Sequence, residues 1–458
     1  MSMVLIKSIS GIRGTLGYDE NSLNPANLSR FVQAYSHFQR KKNRNKKITI
    51  AVGRDGRESG QTFIKIVNKT LSLHGIHVVN IDLTTTPTAQ LVIIKKKLSG
   101  GIMITASHNP KNWNALKFFN DKGEFLSEHD VKEILDVESN NLTPQINNID
   151  FGKIHDLKDS FKLHIDEILN LKHVNPQKIR EKKFKIVVDG INSSGGIVIP
   201  MLLEILNVEV IKINCVPDGN FAHDPEPLDK NLSELKKEVL VHNADLGIAV
   251  DPDVDRLVFV SEMGETLGEE NTLISCADYI LSKESGPAVS NLSSSMGLRD
   301  ICTEYNVKYF SSKVGEINVV EKMKAVNAII GGEGNGGIIY PESHYGRDAL
   351  VGVGLLLTSL ALKDKSISKV FEELPKYHML KEKINIDSDL NFNLIKTKLK
   401  SAFQNYSFNE TDGLKIENKS SWIHVRKSNT EPIIRIYIES KQVEISKSML
   451  NSVKKALS

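Results

Sequence analysis

The chain has 458 residues, 25% of them charged and 40% hydrophobic, with a formal net charge of +3. That length supports two to four hydrophobic cores, and the small charge argues against a general nucleic-acid binder while leaving room for local clusters that receive acidic small molecules. Cys215, Cys276 and Cys302 are scattered and lack C-x-x-C spacing, which excludes a disulfide framework or structural zinc site and fits buried thiols in a reducing compartment.

Along the chain, "MSMVLIKSISGIRG" lacks a sustained apolar run, and no segment approaches the roughly 18 apolar residues of a membrane span. A cytoplasmic protein with no membrane partner is expected. The basic run from Gln39 to Lys47 has no interleaved aromatics and directly precedes "ITIAV", so it reads as a solvated helix end rather than a nucleic-acid patch. Segments beginning at Lys47, Lys185 and Pro287 each show a β-branched run, a Gly/Ser-rich turn, an amphipathic stretch and a second β-branched run. This βαβ pattern, repeated at domain-sized intervals, predicts three related α/β domains with mixed or parallel sheets. After Pro375 the pattern breaks, and "SWIHVRKSN", "IIRIYIES" and "ISKSMLNSVKKAL" predict strands and a helix of a smaller C-terminal α+β domain. Boundaries fall near residues 155, 256 and 370.

Four stretches carry candidate chemistry. In "GIMITASHNPKNWNALKFF" a strand should end at the C-terminal edge of a sheet, where Asn109 and Pro110 enforce a turn that presents Ser107. Ser107 reads either as a nucleophile or as a turn residue, and no G-x-S-x-G supports a serine hydrolase. In "DPDVDR" the alternating Asp251, Asp253 and Asp255 can converge on a hard cation such as magnesium. An EF-hand fails because Arg256 stands where glycine is required and both flanks read as strands. In "GGEGNGG" Glu333 and Asn335 offer a carboxylate and an amide suited to sugar hydroxyls, or the glycines serve only a tight loop. In "VRKSNTEPIIRIYIES", Arg426, Ser428, Asn429, Thr430 and Arg435 surround a turn with the groups a phosphate dianion needs, or form an ordinary surface hairpin. Arg13, between glycines in "SGIRGTLG", can approach another anion.

Together, "SGIRGT", "GRDGRESG", "TASHNP", "DPDVDR", "GEGNGG" and "RKSNTEP" occur in one order, and the sequence resembles the α-D-phosphohexomutase family over essentially its whole length, most like the phosphoglucosamine mutase branch related to archaeal enzymes. The resemblance implies four domains around a central cleft. Expected spans are 1–155 with a catalytic phosphoserine, 156–256 with a metal loop, 257–370 with a sugar-specificity loop and 371–458 with a phosphate-binding loop. It implies Ser107 as the phosphorylated serine, Asp251, Asp253 and Asp255 as Mg2+ ligands completed by a phosphoserine oxygen, and Arg256, Arg13, His108 and Lys117 near the transferred phosphoryl. Lys117, with a lowered pKa, is the expected proton carrier. Glu333 and Asn335 match the sugar loop, and Arg426, Ser428, Asn429, Thr430 and Arg435 match the grip on the far phosphate. The implied activity is interconversion of glucosamine 6-phosphate and glucosamine 1-phosphate through a hexose bisphosphate. The alternatives are a phosphomannomutase or phosphoglucomutase and a non-catalytic sugar-phosphate binder. Gly337 stands where many relatives have His, and Pro252 and Val254 where glycines are common. A monomer or homodimer is expected.

Overall fold

A computed structural model describes residues 4–44, 46–140, 150–385, 392–427 and 433–457. The chain divides into two compact units, Met1–Thr272 with Gly336–Glu372, and Leu273–Asn335 with Glu373–Ser458. Among the described residues, no helix is long and apolar enough to cross a membrane.

All three predicted βαβ units are present. Strand Thr49–Arg54, helix Glu58–Leu73 and strand His77–Leu83 form the first, Lys185–Asp189, Gly195–Ile205 and Glu209–Ile213 the second, and Ala288–Asn291, Gly297–Glu304 and Tyr309–Ser312 the third. In each the two strands pair in parallel, as a helical crossover requires.

In the first unit, a seven-stranded sheet has the spatial order Leu5–Ser8, Gly11–Thr15, Trp113–Phe119, Gly100–Ile104, Thr49–Arg54, His77–Leu83, Ile154–Asp156. Gly100–Ile104 is buried at every residue, which explains why it reads as an unbroken apolar run rather than an alternating one. A four-stranded sheet follows in the order Leu257–Ser261, Leu246–Val250, Lys185–Asp189, Glu209–Ile213. Helix Pro25–Lys42 shows how the basic run arises: Asn24 caps its start, Pro25 opens it, and Arg40, Lys41 and Lys42 close its last turn, where cations complement the helix dipole. These three basic residues are exposed. Helix Ala349–Lys363 is apolar on nearly all sides and correspondingly buried, with Asp348 capping its first amides.

In the second unit, Ala288–Asn291 lies between Tyr309–Ser312 and Ile330–Glu333 in a parallel arrangement. The C-terminal sheet is antiparallel throughout, ordered His378–Asn385, Ile433–Ser440, Ser421–Lys427, Leu414–Glu417, Ser407–Asn409. Ile395, Leu399, Met449 and Val453, from helices Phe392–Ala402 and Val443–Leu457, join Ile416, Ile423, Val425 and Ile436 in its core. Helix Phe392–Ala402 was not among the predicted elements. Cys276 and Cys302 are buried and Cys215 half-buried, all unbridged. Burial pushes the Cys215 thiol up to about 11 and the other two to about 12, so none is a ready thiolate.

Candidate active site

Ser107 follows the strand Gly100–Ile104 at its C-terminal end, in a left-handed conformation with φ +49°. Its side chain is buried, and its hydroxyl donates to Asp251 Oδ2 at 2.6 Å. The loop that holds it is fixed mainly by one buried side chain. Arg57 donates to the carbonyls of Ser107 (2.6 Å), Asn109 (2.6 Å), Pro110 (2.7 Å) and Trp113 (3.0 Å), and its Nε reaches Asp55 Oδ2 at 3.1 Å. Asp55 also accepts from Thr105 Oγ1 at 2.7 Å, and Thr105 Oγ1 accepts from the Ser107 amide at 2.9 Å. A buried arginine held by this many partners is satisfied rather than strained.

The same hairpin returns Lys117. Strands Gly100–Ile104 and Trp113–Phe119 are antiparallel with Met103 opposite Lys117, and the Lys117 ammonium, about 2% exposed, lies 2.6 Å from Asp253 Oδ2 and 3.4 Å from Asp255 Oδ2. Its pKa is raised, not lowered as expected. Burial pulls it down, but the charges of Asp253 and Asp255 outweigh that effect. The sequence could not weigh these two effects, because both carboxylates come from another domain-sized segment.

Asp251, Asp253 and Asp255 lie in the turn between strands Leu246–Val250 and Leu257–Ser261. Each is fully buried, and the three offer oxygens that lie within 4.8 Å of one another. Asp251 Oδ1 accepts the amides of Asp255 and Arg256, both at 3.1 Å. Burial and the neighbouring Asp255 and Asp253 push the Asp251 pKa well up. Asp253 moves the other way, because the Lys117 charge with hydrogen bonds from Lys117 and Thr86 overcomes its burial. Asp253 Oδ1 and Asp255 Oδ1 are buried without a hydrogen-bond donor. Orphaned anionic oxygens at this spacing fit a hard divalent cation held by the three aspartates. Val254 keeps a left-handed φ of +63° despite its branched side chain, a conformation rare for such residues. The turn geometry that glycine would favour is therefore retained with a valine in place.

The surrounding cations are placed from several elements. Arg13 Nη1 donates to Asn109 Oδ1 at 3.3 Å, Arg256 Nη1 pairs with Glu226 Oε1 at 3.1 Å, and Arg347 Nη2 contacts Asp255 Oδ2 at 2.7 Å. His108 Nδ1 is 3.4 Å from Ser107 Oγ. Burial, followed by the charges of Arg256 and Arg13, holds its pKa well below the usual imidazole value, so it stays neutral. Ser193 ties two loops together, accepting the Gly56 amide at 2.9 Å and donating to the Pro252 carbonyl at 2.6 Å. A Cβ at Gly56 would stand 2.7 Å from Ser193 Cα, so that approach requires glycine.

Arg57, Asp55, Thr86 and Arg347 join the site without a role that the sequence assigns to them. Thr86 donates to Asp253 Oδ2 at 2.5 Å, and its amide bonds the Asp253 carbonyl at 2.9 Å. The arginine and aspartate of "GRDGRESG" were a visible signal. Thr86 and Arg347, in "TTTPT" and "YGRDAL", are marked by no comparable pattern.

In the second unit, Glu333 ends strand Ile330–Glu333 and is buried. Its Oε1 accepts from Asn291 Nδ2 at 2.8 Å and the Gly315 amide at 2.9 Å. Asn335 is half-buried in the turn that follows. Arg426 and Arg435 stand directly opposite each other across strands Ser421–Lys427 and Ile433–Ser440. Two guanidinium groups so placed can offer paired donors to one anion. Ser428, Asn429 and Thr430 lie outside the described residues.

A buried hydroxyl beside a cation seat, ringed by guanidinium groups, has the chemistry to accept and release a phosphoryl group. Residues 6–143, 162–264 and 269–377 match the α/β/α domains I, II and III of phosphoglucomutase/phosphomannomutase, and residues 384–456 match its C-terminal domain. The chain belongs to the α-D-phosphohexomutase family. Phosphohexomutases are isomerases that act by intramolecular phosphoryl transfer. A probable phosphoglucosamine mutase from Methanopyrus kandleri is 32% identical, with 88% of each chain covered. A phosphoglucomutase/phosphomannomutase from Thermococcus kodakarensis is 31% identical over 96% of each. The crystal structure of a phosphoglucomutase/phosphomannomutase family protein from Burkholderia thailandensis shares the phosphohexomutase fold, with a TM-score of 0.85 at 23% identity, covering 98% of this chain and 96% of that one.

Proposed function

We propose that this phosphohexomutase interconverts glucosamine 6-phosphate and glucosamine 1-phosphate in the cytoplasm, through a phosphoserine at Ser107 and a bisphosphorylated sugar. The observation that carries the reading is the Ser107 hydroxyl held 2.6 Å from Asp251 within the aspartate cluster. In the first half-reaction the phosphorus–oxygen bond to Ser107 breaks as a bond to the free sugar hydroxyl forms, and the proton lost by that hydroxyl is matched by the one that the departing Ser107 oxygen takes up. The bisphosphate then turns around, and its other phosphate returns to Ser107. Asp251, Asp253 and Asp255 would hold Mg2+, which supplies charge stabilisation on the phosphoryl oxygens. Arg13 and Arg256 supply fixed positive charge, and neutral His108 a hydrogen bond. Lys117, protonated beside Asp253 and Asp255, is poised to donate a proton.

On this reading Glu333 and Asn335 bind sugar hydroxyls, while Arg426 and Arg435, with Ser428, Asn429 and Thr430, grip the far phosphate. Domain limits near residues 155, 256 and 370 belong to the same proposal. The Thermococcus kodakarensis relative favours a second reading, a phosphoglucomutase or phosphomannomutase. Purified protein supplied with Mg2+ and a hexose bisphosphate activator should convert the glucosamine phosphate at the highest kcat/KM. Preference for glucose or mannose phosphate selects the second reading, and no turnover with any of the three defeats both.

A further inference from the structure

In the second unit, Glu333 belongs to a closed circuit of hydrogen bonds that leaves its own sheet, passes through the C-terminal sheet and returns. Asn291 Nδ2 donates to Glu333 Oε1 at 2.8 Å, while Asn291 Oδ1 accepts the Ser293 amide at 2.8 Å and the Ser294 hydroxyl at 3.1 Å. Ser293 Oγ lies 2.7 Å from His424 Nδ1, and His424 Nε2 lies 2.6 Å from the Asp412 carbonyl. Asp412 Oδ2 then accepts the Val314 amide at 2.9 Å, and the next amide, that of Gly315, returns to Glu333 Oε1 at 2.9 Å. A branch from Ser294 Oγ accepts the Gly334 amide at 3.0 Å, fixing the residue after Glu333.

Proton directions around the circuit are determined. A carbonyl only accepts, so His424 carries its proton on Nε2, and a neutral ring then accepts the Ser293 hydroxyl at Nδ1. Burial lowers the His424 pKa to about 4, consistent with that neutral tautomer. Asn291, Ser293, Glu333 and His424 are all buried, where hydrogen bonds are costly to break and strongly orienting. His424 shares its strand with Arg426.

We infer that Asn291, Ser293 and His424 are positioning residues for sugar selection, fixing the Glu333 carboxylate through contacts from the C-terminal sheet. The inference rests on the reading of Glu333 as a sugar contact. Docking of the C-terminal sheet and the aim of the carboxylate are then one event, and loosening the circuit alters how well the enzyme separates hexose phosphates that differ at a single substituent.

The test compares kcat and KM for glucosamine, glucose and mannose phosphates in wild type, Glu333→Gln, Ser293→Ala, His424→Gln and the double variant Ser293→Ala/Glu333→Gln. Glu333→Gln is expected to change the ratio of kcat/KM between the best and the other sugars about tenfold or more. Ser293→Ala, which deletes one oxygen and keeps the fold, should change that ratio about three- to tenfold through KM. The double variant should fall short of the product of the two single effects. A uniform loss of kcat for all sugars, or effects that multiply, overturns the inference and leaves the Glu333 reading intact. Unchanged discrimination in Glu333→Gln overturns both. Should His424→Gln fail to fold, Ser293→Ala alone decides.

Discussion

Lys117 and Asp253 form a buried ion pair, with Nζ 2.6 Å from Oδ2 and both side chains shielded from solvent. Deleting the ammonium would leave Asp253 and Asp255 facing each other in the same buried site. Lys117→Met should therefore reduce kcat by about 10²–10⁴-fold, the range for loss of a positioned proton-transfer group. It should also destabilise the protein by about 3–5 kcal/mol in the absence of divalent cation. Added Mg2+ should restore part of the melting temperature but not the rate.

Removal of divalent cation by a chelator should abolish turnover, and Mg2+ should restore it. In Asp253→Asn the lost charge weakens the cation seat, and the Mg2+ concentration for half-activation should rise at least about tenfold. Activity titrations with Mg2+ measure both effects.

Arg57 supplies donors to four loop carbonyls, so Arg57→Lys is not a conservative exchange. A single ammonium cannot span the four acceptors of the planar fork. The variant should lose about 2–4 kcal/mol of stability by denaturant melt, and phosphate retained on Ser107, read by intact-mass analysis, should fall.

The facing pair Arg426 and Arg435 predicts an anion-dependent stability. Inorganic phosphate should raise the melting temperature by mass action on the folded state. Arg426→Gln or Arg435→Gln should shrink that rise.

His424 gives the acid limb. Burial, followed by the nearby Lys415 and Arg426 charges, lowers its pKa from 6.5 to about 4, against the Asp412 contacts that raise it. Between these values the unfolded chain binds a proton that the folded chain does not, so stability is complete above pH 6.5 and falls as pH drops toward 4. The loss approaches about 3 kcal/mol. His424→Gln should remove this component from a plot of melting temperature against pH.

The βαβ units were legible because buried parallel strands leave apolar runs and their crossover helices leave a helical period, both local to the chain. The placement of Ser107 at a strand end and the convergence of the three aspartates were legible because turn chemistry and alternating charge are also local, while the role of Ser107 stayed open until the resemblance was drawn. Helix Phe392–Ala402 was missed in a stretch of scattered polar residues, with Ile395 and Leu399 buried in the core and Phe392 packed against it. Arg57, Thr86, Arg347 and His424 act through partners distant in sequence, and no spacing rule encodes which backbone carbonyl or carboxylate each will meet. The raised pKa of Lys117 belongs with them, since its sign is a balance between burial and two charges that only the folded chain brings close.

The hold of Arg57 on the loop around Ser107 has one more consequence. With the carbonyls of Ser107, Asn109, Pro110 and Trp113 bound to one guanidinium, the backbone has little freedom to relax if, as proposed, charge arrives at or leaves the serine oxygen. Solvent in an open site would have to reorient with each transfer, whereas here the surrounding dipoles are set when the chain folds. Under the proposed phosphoryl transfer, the reorganisation cost of moving a doubly charged group would thus be met once, in folding, and not again at every catalytic cycle.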